Sequence, residues 1–264
     1  MTAIGKLGRY GYRIGRPAGV RFVPSSDDIM LCSYPRSGNT WLRFMIANLT
    51  NPGIGVSFSN IEKRVPDIYV SSTRSINSVS SPRFIKSHQP FNGAYRKVVY
   101  LVRHPVATAV SYRRFLRKGG NVQGEVAPQI FLRSFFDGPG PIQEFGSWTD
   151  NVTSWLHAPE NSALLLIRYE DLRQAPDKQL RRLVDFCGLH ASSREIDRAI
   201  VRSSPAEMRK LETEIGGTWG NHKALGQAID MRSAPDHTEF DMRDMKQELA
   251  REPVARLMRS LNYQ

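Results

Sequence analysis

The stretch from Ile29 to Leu49, IMLCSYPRSGNTWLRFMIANL, constrains the fold more than any other part of the chain. Its first four residues are apolar, which predicts a short buried parallel strand. A run of turn residues follows and carries one cation, Arg36. From Thr40 onward apolar residues return at helical spacing, so a helix is expected to begin there. A strand, a tight loop and a helix in this order bring backbone N–H groups and the positive end of a helix dipole to one place, which favours an anion site.

The loop lacks the Walker A pattern G-x-x-x-x-G-K-[ST], and its cation precedes the glycine by two positions. Gly38 allows a close backbone approach, and Thr40 can cap the helix or donate its hydroxyl to a phosphate. The string YPRSGNTW resembles the 5′-phosphosulfate loop of the sulfotransferases, which more often have lysine at the position of Arg36. An ordinary turn is the alternative for the loop alone. The resemblance implies donor contacts from Arg36, Ser37, Gly38, Asn39, Thr40 and Trp41.

A second motif follows a brief strand predicted at Phe84-Ile85. His88 lies at the end of this strand, and the carboxyl ends of strands are where open α/β sheets gather their functional groups. The string KSHQP resembles the sulfotransferase segment whose histidine is the general base. The resemblance therefore implies that His88 is the base and that Lys86 lies beside the reacting groups.

The clearest buried strand, from Lys97 to Arg103, ends in a third motif. Pro105 can open the helix that continues to Lys118. At about 3.6 residues per turn, Ser111 lies about two turns into that helix. A guanidinium at the strand end and a serine hydroxyl can hold a phosphate from two sides. This stretch resembles the family motif in which an arginine and a serine eight positions later hold the 3′-phosphate, here Arg103 and Ser111.

The last strand is predicted from Ala163 to Ile167 and leads into YEDL. In the family the tyrosine of that string lies near the adenine, which implies a cofactor role for Tyr169; a packing tyrosine is the alternative. The resemblance also places Ser204 at the nucleotide and Arg232 as a third contact to the 3′-phosphate, although the closing R-K-G string of the family is absent. Four more helices are predicted: Pro176–Cys187 with Gly188 as its cap, Ser193–Val201, Pro205–Glu214 and Pro253–Leu261.

Two stretches, Ile54–Ser81 and Gly119–Ser147, carry little periodicity and are predicted to form the walls of the acceptor site. The polar run Ser71–Ser81 is predicted to be a mobile surface loop. A helix is expected to start near Ser147. Four aromatic residues of the second stretch either line the acceptor pocket or belong to the core: Phe131, Phe135, Phe136 and Phe145.

The alternation of strands and helices predicts a single α/β domain over residues 29–264, with a central parallel sheet flanked by helices and a basic lead-in over residues 1–28. Thirty-seven Lys and Arg against 25 Asp and Glu give a net charge of +12, which favours anionic partners. Cys32 and Cys187 lie in apolar segments and are expected to be free thiols in a reducing compartment. The sequence shows no Cys/His cluster with metal-ligand spacing, no signal peptide and no transmembrane run.

Together the four motifs resemble the PAPS-dependent sulfotransferases, with a fold like that of the P-loop NTPases. PAPS, 3′-phosphoadenosine 5′-phosphosulfate, is the implied co-substrate and PAP, adenosine 3′,5′-bisphosphate, the implied product, with no metal. His88 would take the proton of the acceptor, while Arg36 and Lys86 stabilise the leaving phosphate. The acceptor is expected to be a small molecule, glycan or lipid. A cytoplasmic protein without a nucleic-acid partner is expected, and a homodimer is left open.

Two other hypotheses remain at this point. One is a P-loop-like kinase that uses ATP, against which the missing Walker lysine and the Arg103/Ser111 pair count. The other is a basic protein without catalytic activity that binds nucleic acid or a membrane. The net charge of +12 favours this hypothesis, whereas the scattering of the cations along the chain counts against it.

Overall fold

A computed structural model describes residues 22–118, 126–139, 143–159, 162–214 and 240–263. Four parallel strands form one sheet in the order β2-β1-β3-β4. The predicted single α/β domain with a central parallel sheet is confirmed. The strands are β1 (Ile29–Ser33), β2 (Phe84–Ser87), β3 (Lys97–Val102) and β4 (Ala163–Arg168).

Eleven α-helices of the described residues surround the sheet. In chain order they are α1 (Asn39–Thr50), α2 (Thr73–Asn77), α3 (Pro105–Lys118), α4 (Pro128–Asp137), α5 (Trp148–Leu156), α6 (Tyr169–Gln174), α7 (Pro176–Cys187), α8 (Ser193–Arg202), α9 (Pro205–Glu214), α10 (Met242–Leu249) and α11 (Glu252–Ser260). Two short 3-10 turns, Ile61–Lys63 and Gln143–Phe145, complete the regular structure.

The two faces of the sheet carry separate apolar layers because successive side chains of a strand point to opposite sides. In β1, Ile29 and Leu31 pack with α1 and α6 to α9, whereas Met30 and Cys32 pack with α2 to α5, α10 and α11. All five residues of β1 are buried, as expected for a strand covered on both faces.

The strand order places a topological switch point between β1 and β3. The chain leaves β1 for β2 on one side and then crosses to β3 on the other side. In open parallel sheets, ligands bind in the crevice outside the carboxyl ends of two such strands. Here that crevice receives the loop after Ser33 and the residues after Val102, which carry two of the sequence motifs.

The structure corrects two expectations and decides one alternative that the sequence left open. Helix α1 begins at Asn39 and its N-cap is Gly38, so Thr40 lies inside the first turn and does not cap the helix. The run Ser71–Ser81 is not wholly a loop, because Ser72 accepts the N–H of Ser75 and caps α2. Phe131, Phe135 and Phe136 lie in α4 with at most 2% exposure and belong to the core.

Two helix ends and both cysteines agree with the sequence. Gly188 has φ 68° and closes α7, and Ser147 caps α5 through the N–H of Asp150. Cys32 and Cys187 are buried free thiols. Among the helices that the structure describes, none has the length and apolar character that a membrane span requires.

Candidate active site at the carboxyl ends of the strands

The loop between β1 and α1 turns sharply at two residues with left-handed backbone conformation. Arg36 has φ 71° and Gly38 has φ 98°. A Cβ atom at Gly38 would lie 2.5 Å from Cδ2 of Tyr169, so no side chain fits there without displacing that ring. Asn39 binds the loop to β1, since its Nδ2 donates to the Leu31 carbonyl at 2.9 Å and to Ser33 Oγ at 3.1 Å. The loop is therefore held tightly against the end of β1.

Arg103 and Ser111 meet this loop from β3 and α3. Arg103 Nη1 donates to the carbonyl of Arg36 at 3.2 Å. Arg36 Nε in turn donates to Ser111 Oγ at 3.2 Å, and its guanidinium lies 4.8 Å from the ring centre of Phe115. The structure thus brings the cation of the first motif and both polar residues of the third motif into one cluster.

An aromatic and polar group forms the other side of this cluster. The Arg103 guanidinium lies 4.5 Å from the ring centre of Tyr169, and the Trp41 ring meets Tyr169 edge-on at 5.7 Å. Trp41 Nε1 donates to the Ser203 carbonyl at 2.7 Å. The hydroxyl of Ser204 instead accepts the N–H of Glu207 at 3.4 Å, at the start of α9. Arg232 lies outside the described residues.

Three polar atoms near the loop are buried without a hydrogen-bond partner among the described residues: Arg103 Nε, Ser37 Oγ and Asn39 Oδ1. An unsatisfied buried polar group costs about 1–3 kcal/mol, so such groups are uncommon in folded proteins. Arg103 Nε and Ser37 Oγ can donate to an anionic oxygen, whereas Asn39 Oδ1 is an acceptor only. The residues present therefore fit a phosphate-bearing ligand at this loop.

His88 directly follows β2, and three of its polar groups form hydrogen bonds. Its backbone N–H donates to the Tyr69 hydroxyl at 2.9 Å, and its carbonyl accepts Asn151 Nδ2 at 3.1 Å. Nδ1 lies 2.8 Å from the Ser33 carbonyl. Because a carbonyl only accepts, Nδ1 carries the proton and Nε2 holds the lone pair. Within the described residues Nε2 has no hydrogen-bond partner, so it can accept a proton from a ligand.

The surroundings of His88 keep the imidazole neutral. Burial, followed by the charges of Lys86 and Arg36, lowers its pKa to about 3, and the opposing effects of Asp67 and of the hydrogen bond to Ser33 do not offset them. The ring of Tyr69 stacks on the imidazole with centroids 5.8 Å apart and 10° between the planes, and Phe145 meets it edge-on at 5.5 Å. A neutral imidazole with a free Nε2 is the form that can act as a general base.

Lys86 points to a buried carboxylate. Its Nζ lies 2.6 Å from Oδ2 of Asp67, whose side chain is 3% exposed. Burial would raise the pKa of the Asp67 carboxyl, but Lys86 and Arg43 outweigh this effect and hold the pKa below its usual range. Asp67 is therefore ionised at neutral pH and forms an ion pair with Lys86.

Sequence reasoning did not single out Asp67, Tyr69 and Asn151 as site residues. Asp67 and Tyr69 belong to a stretch without strand or helix periodicity, and Asn151 is a buried polar residue of α5. No local pattern predicts their contacts with β2.

Comparisons with known proteins show the family of the chain. The family model described as "Sulfotransferase domain" matches residues 26–252. Sulfotransferase 1E1 of Bos taurus is 30% identical over 254 residues, which span 80% of this chain and 83% of the bovine protein. The chain belongs to the sulfotransferase family. This sulfotransferase is also 30% identical over 210 residues to Sulfotransferase 1B1 of Mus musculus, covering 72% of this chain and 67% of the murine protein.

Solved sulfotransferase structures share the fold. The crystal structure of mouse sulfotransferase SULT7A1 complexed with PAP has a TM-score of 0.67 at 20% identity and covers 91% of this chain and 90% of its own. Retinol dehydratase in complex with androsterone and inactive cofactor PAP has a TM-score of 0.69 at 16% identity, covering 89% and 82%. The protein is thus a sulfotransferase enzyme with the α/β fold of its family.

Proposed function

We propose that this sulfotransferase moves the sulfuryl group of PAPS to a hydroxyl or amine of an acceptor, with His88 as general base. The observation that carries the proposal is the hydrogen bond of His88 Nδ1 to the carbonyl of Ser33, the last residue of β1, which leaves Nε2 without a partner among the described residues. The loop after Ser33 carries Arg36, which binds Ser111 and Arg103. PAP in the solved structures of two relatives supports the nucleotide. A cytoplasmic location is part of the proposal and is supported by the free thiols.

Arg103 and Ser111 are the proposed ligands of the 3′-phosphate. Arg103 offers a buried Nε without a partner among the described residues, and Ser111 offers a hydroxyl that now accepts from Arg36. A 3′-phosphate would accept from both, and it is the group that separates PAPS from ATP. Tyr169 and Trp41 lie on the other side of Arg103 and are the proposed adenine contacts.

The residues of the loop are the proposed ligands of the 5′-phosphosulfate. Its backbone N–H groups lie at the start of α1, where the helix dipole favours an anion. Arg36, Ser37, Gly38, Asn39 and Thr40 form this site. Ser204 and Arg232 remain predictions as nucleotide contacts, since Ser204 interacts with Glu207 and Arg232 lies outside the described residues.

In the transfer step, an oxygen or nitrogen of the acceptor bonds to sulfur while the bond from sulfur to the bridging phosphate oxygen breaks. His88 Nε2 takes the acceptor proton, and the electron pair of the broken bond stays on the leaving phosphate. Arg36 stabilises that charge by its own charge, which favours the transition state over the ground state. Lys86 remains a prediction in this role, since its Nζ is paired with Asp67. A guanidinium stays protonated, so Arg36 acts as an electrostatic group and not as an acid.

The low pKa of His88 belongs to the protein without its anionic donor. Nearby negative charge favours a protonated imidazole, so a bound polyanion raises that pKa toward the range in which a base is effective. Asp67 already acts in this direction. His88 is thus poised to gain basicity when the donor binds.

The donor site is tested by thermal-shift titration with PAP and with ATP, for wild type and Arg103→Ala. Saturation at about 100 times Kd stabilises the folded state by about 2.7 kcal/mol, which raises the Tm by roughly 5–10 °C in a protein of this size. We expect that shift with PAP, a small one with ATP, and about 10- to 100-fold weaker PAP binding in Arg103→Ala.

The matched control is Arg96→Ala, which removes an exposed arginine just before the opposite end of β3. It should keep the full PAP shift. Equal shifts with PAP and ATP, or no shift with PAP in the wild type, would contradict the proposed donor and return the kinase or a basic binding protein to consideration.

The base is tested by PAP release from PAPS, with p-nitrophenol, a primary amine and water as probe acceptors. We expect His88→Gln to lower turnover by about 100-fold or more, because general base catalysis contributes about that much. PAP binding should stay near the wild-type value. His157→Gln removes an exposed histidine at the end of α5 and serves as control.

The same assay compares Arg36→Ala with Arg36→Lys. A lysine restores the charge but not the fork of donors, so it should recover part of the turnover that alanine loses. Unchanged turnover in both His88→Gln and Arg36→Ala would show that the catalytic assignment is wrong, even where PAP binding holds.

A further inference from the structure

We propose that Tyr69 is a positioning residue that holds the imidazole of His88 in its base-competent orientation, and that Asp67 and Lys86 hold Tyr69 there. The inference rests on the proposed role of His88. It assigns to the segment of residues 66–69 the task of positioning the proposed base.

The segment of residues 66–69 adds to the free edge of β2. Lys86 N–H donates to the Pro66 carbonyl at 2.8 Å, and Ile68 N–H donates to the Lys86 carbonyl at 3.2 Å. Asp67 and Lys86 form the parallel bridge between them. The segment therefore runs beside β2 toward its carboxyl end, where His88 follows.

The Asp67 side chain stabilises this pairing, because each of its carboxylate oxygens accepts a hydrogen bond. Oδ2 accepts Lys86 Nζ at 2.6 Å, and Oδ1 accepts the backbone N–H of Tyr69 at 2.9 Å. The N–H of Asp67 itself donates to Oε2 of Glu62 at 2.8 Å. Glu62 also binds the fully buried Arg43 of α1 at 2.7 Å. Tyr69 is thus tied through polar groups to β2 and to the helix that follows the loop.

Tyr69 reaches His88 in two independent ways. Its hydroxyl accepts the backbone N–H of His88, and its ring covers one face of the imidazole in a nearly parallel stack. The ring of Phe145 meets both rings edge-on, at 5.3 Å from Tyr69 and 5.5 Å from His88. With Nδ1 bound to the Ser33 carbonyl, these contacts fix the ring plane, so Nε2 keeps one direction.

Tyr69 also shields the imidazole from water. The tyrosine is 8% exposed, and burial is the first cause of the low pKa of His88. The charged groups that act on His88 are Lys86, Asp67 and Arg36, and a substitution at Tyr69 leaves all three in place. A change in His88 after that substitution therefore reports loss of the ring and the hydroxyl.

Tyr95 offers a matched control. It is also 8% exposed, and its hydroxyl lies 3.1 Å from Oγ of Ser87, the residue before His88. Its ring stacks on Trp155 and not on His88. We expect Tyr95→Leu to remove an equally buried tyrosine next to Ser87 while the ring of Tyr69 stays stacked on the imidazole.

The test is a proton–nitrogen NMR spectrum of the full chain with isotope-labelled histidine, in which His88→Gln assigns the signal of His88 among the six histidines. In the wild type we expect a neutral ring protonated at Nδ1 that does not titrate between about pH 5 and pH 8. In Tyr69→Leu we expect a mixture of tautomers and a pKa shifted toward the ordinary value of about 6.5. Tyr95→Leu should keep the wild-type signal.

Tyr69→Phe separates the hydrogen bond of the hydroxyl from the stacking of the ring. It also provides the test if Tyr69→Leu does not fold. It keeps the stack, so the tautomer should persist, but amide hydrogen exchange at His88 should become faster because the N–H has lost its acceptor. An unchanged His88 signal in folded Tyr69→Leu overturns the proposal. Unchanged amide exchange in Tyr69→Phe, or an equal change in Tyr95→Leu, overturns it as well.

This experiment needs neither nucleotide nor acceptor, so it stands apart from the proposed function. Altered His88 signals without a Tm shift from PAP would leave Tyr69 as a positioning residue and reject the donor assignment. In the active enzyme, Tyr69→Leu should lower turnover in the PAP release assay while the Kd of PAP stays near the wild-type value.

Discussion

At the scale of single residues, Gly38 shows how the loop chemistry depends on one missing side chain. Its φ of 98° is costly for any residue with a Cβ, and that Cβ would also meet the ring of Tyr169 at 2.5 Å. Tyr169 in turn lies under the Arg103 guanidinium. A side chain at Gly38 would therefore disturb both the loop and the proposed 3′-phosphate site.

We predict that Gly38→Ala lowers the free energy of unfolding by more than the backbone strain alone, which is about 1–2 kcal/mol. The matched control is Gly93→Ala, since Gly93 has φ 73° but open space around the position of a Cβ. Gly93→Ala carries the strain without the clash, and the difference between the two variants isolates the contact with Tyr169.

Chemical denaturation gives both free energies, and a PAP titration follows in the folded variants. Gly38→Ala should weaken PAP binding by about 10-fold or more, the equivalent of about 1.4 kcal/mol, whereas Gly93→Ala should leave it unchanged. Equal losses of stability in the two variants, with intact PAP binding in both, would show that the approach of Tyr169 to Gly38 is unimportant.

At the scale of elements, periodicity was a good guide wherever an element buries a regular face. The four strands and the helices α1, α3, α7 and α9 were predicted within a few residues because their apolar spacing is regular or their ends carry Pro and Gly. Short polar elements were missed. Helix α2 buries only Ile76 and α10 only Met245, so neither shows a repeat in the sequence.

The site was predictable to a different extent. The resemblance named His88, Arg36, Arg103 and Ser111, and the strand order explains why they meet, because β1, β2 and β3 end at one edge of the sheet. The resemblance to the family did not indicate a role for Tyr69. Its contact with His88 spans 19 positions in sequence and depends on the pairing of residues 66–69 with β2, which only the folded chain shows.

At the scale of the whole molecule, the net charge of +12 acts before any contact forms. A basic protein attracts a polyanion over distances set by ionic strength, with a Debye length of about 30 Å at 0.01 M and about 3 Å at 1 M. The cations of the candidate site, Arg36, Arg103 and Lys86, would act on the nucleotide only at short range. Arg103 and Lys86 are also held in place by hydrogen bonds to the Arg36 carbonyl and to Asp67. Salt should therefore separate attraction from recognition.

We predict that the association rate of PAP falls by about 10-fold or more between about 0.01 M and 1 M salt, whereas its dissociation rate changes less. Stopped-flow tryptophan fluorescence measures both rates, since Trp41 lies beside the proposed adenine contact Tyr169. Adenosine has the same base and no phosphate, so its association rate should respond little to salt and serves as the control.

Arg103→Ala refines the test, because it removes only one of 37 cationic side chains but also a proposed ligand of the 3′-phosphate. It should raise the dissociation rate strongly and lower the association rate only slightly. A salt effect confined to the dissociation rate would contradict this prediction, since it would mean that the excess charge has no role in capture and that the cations act only in contact with the nucleotide.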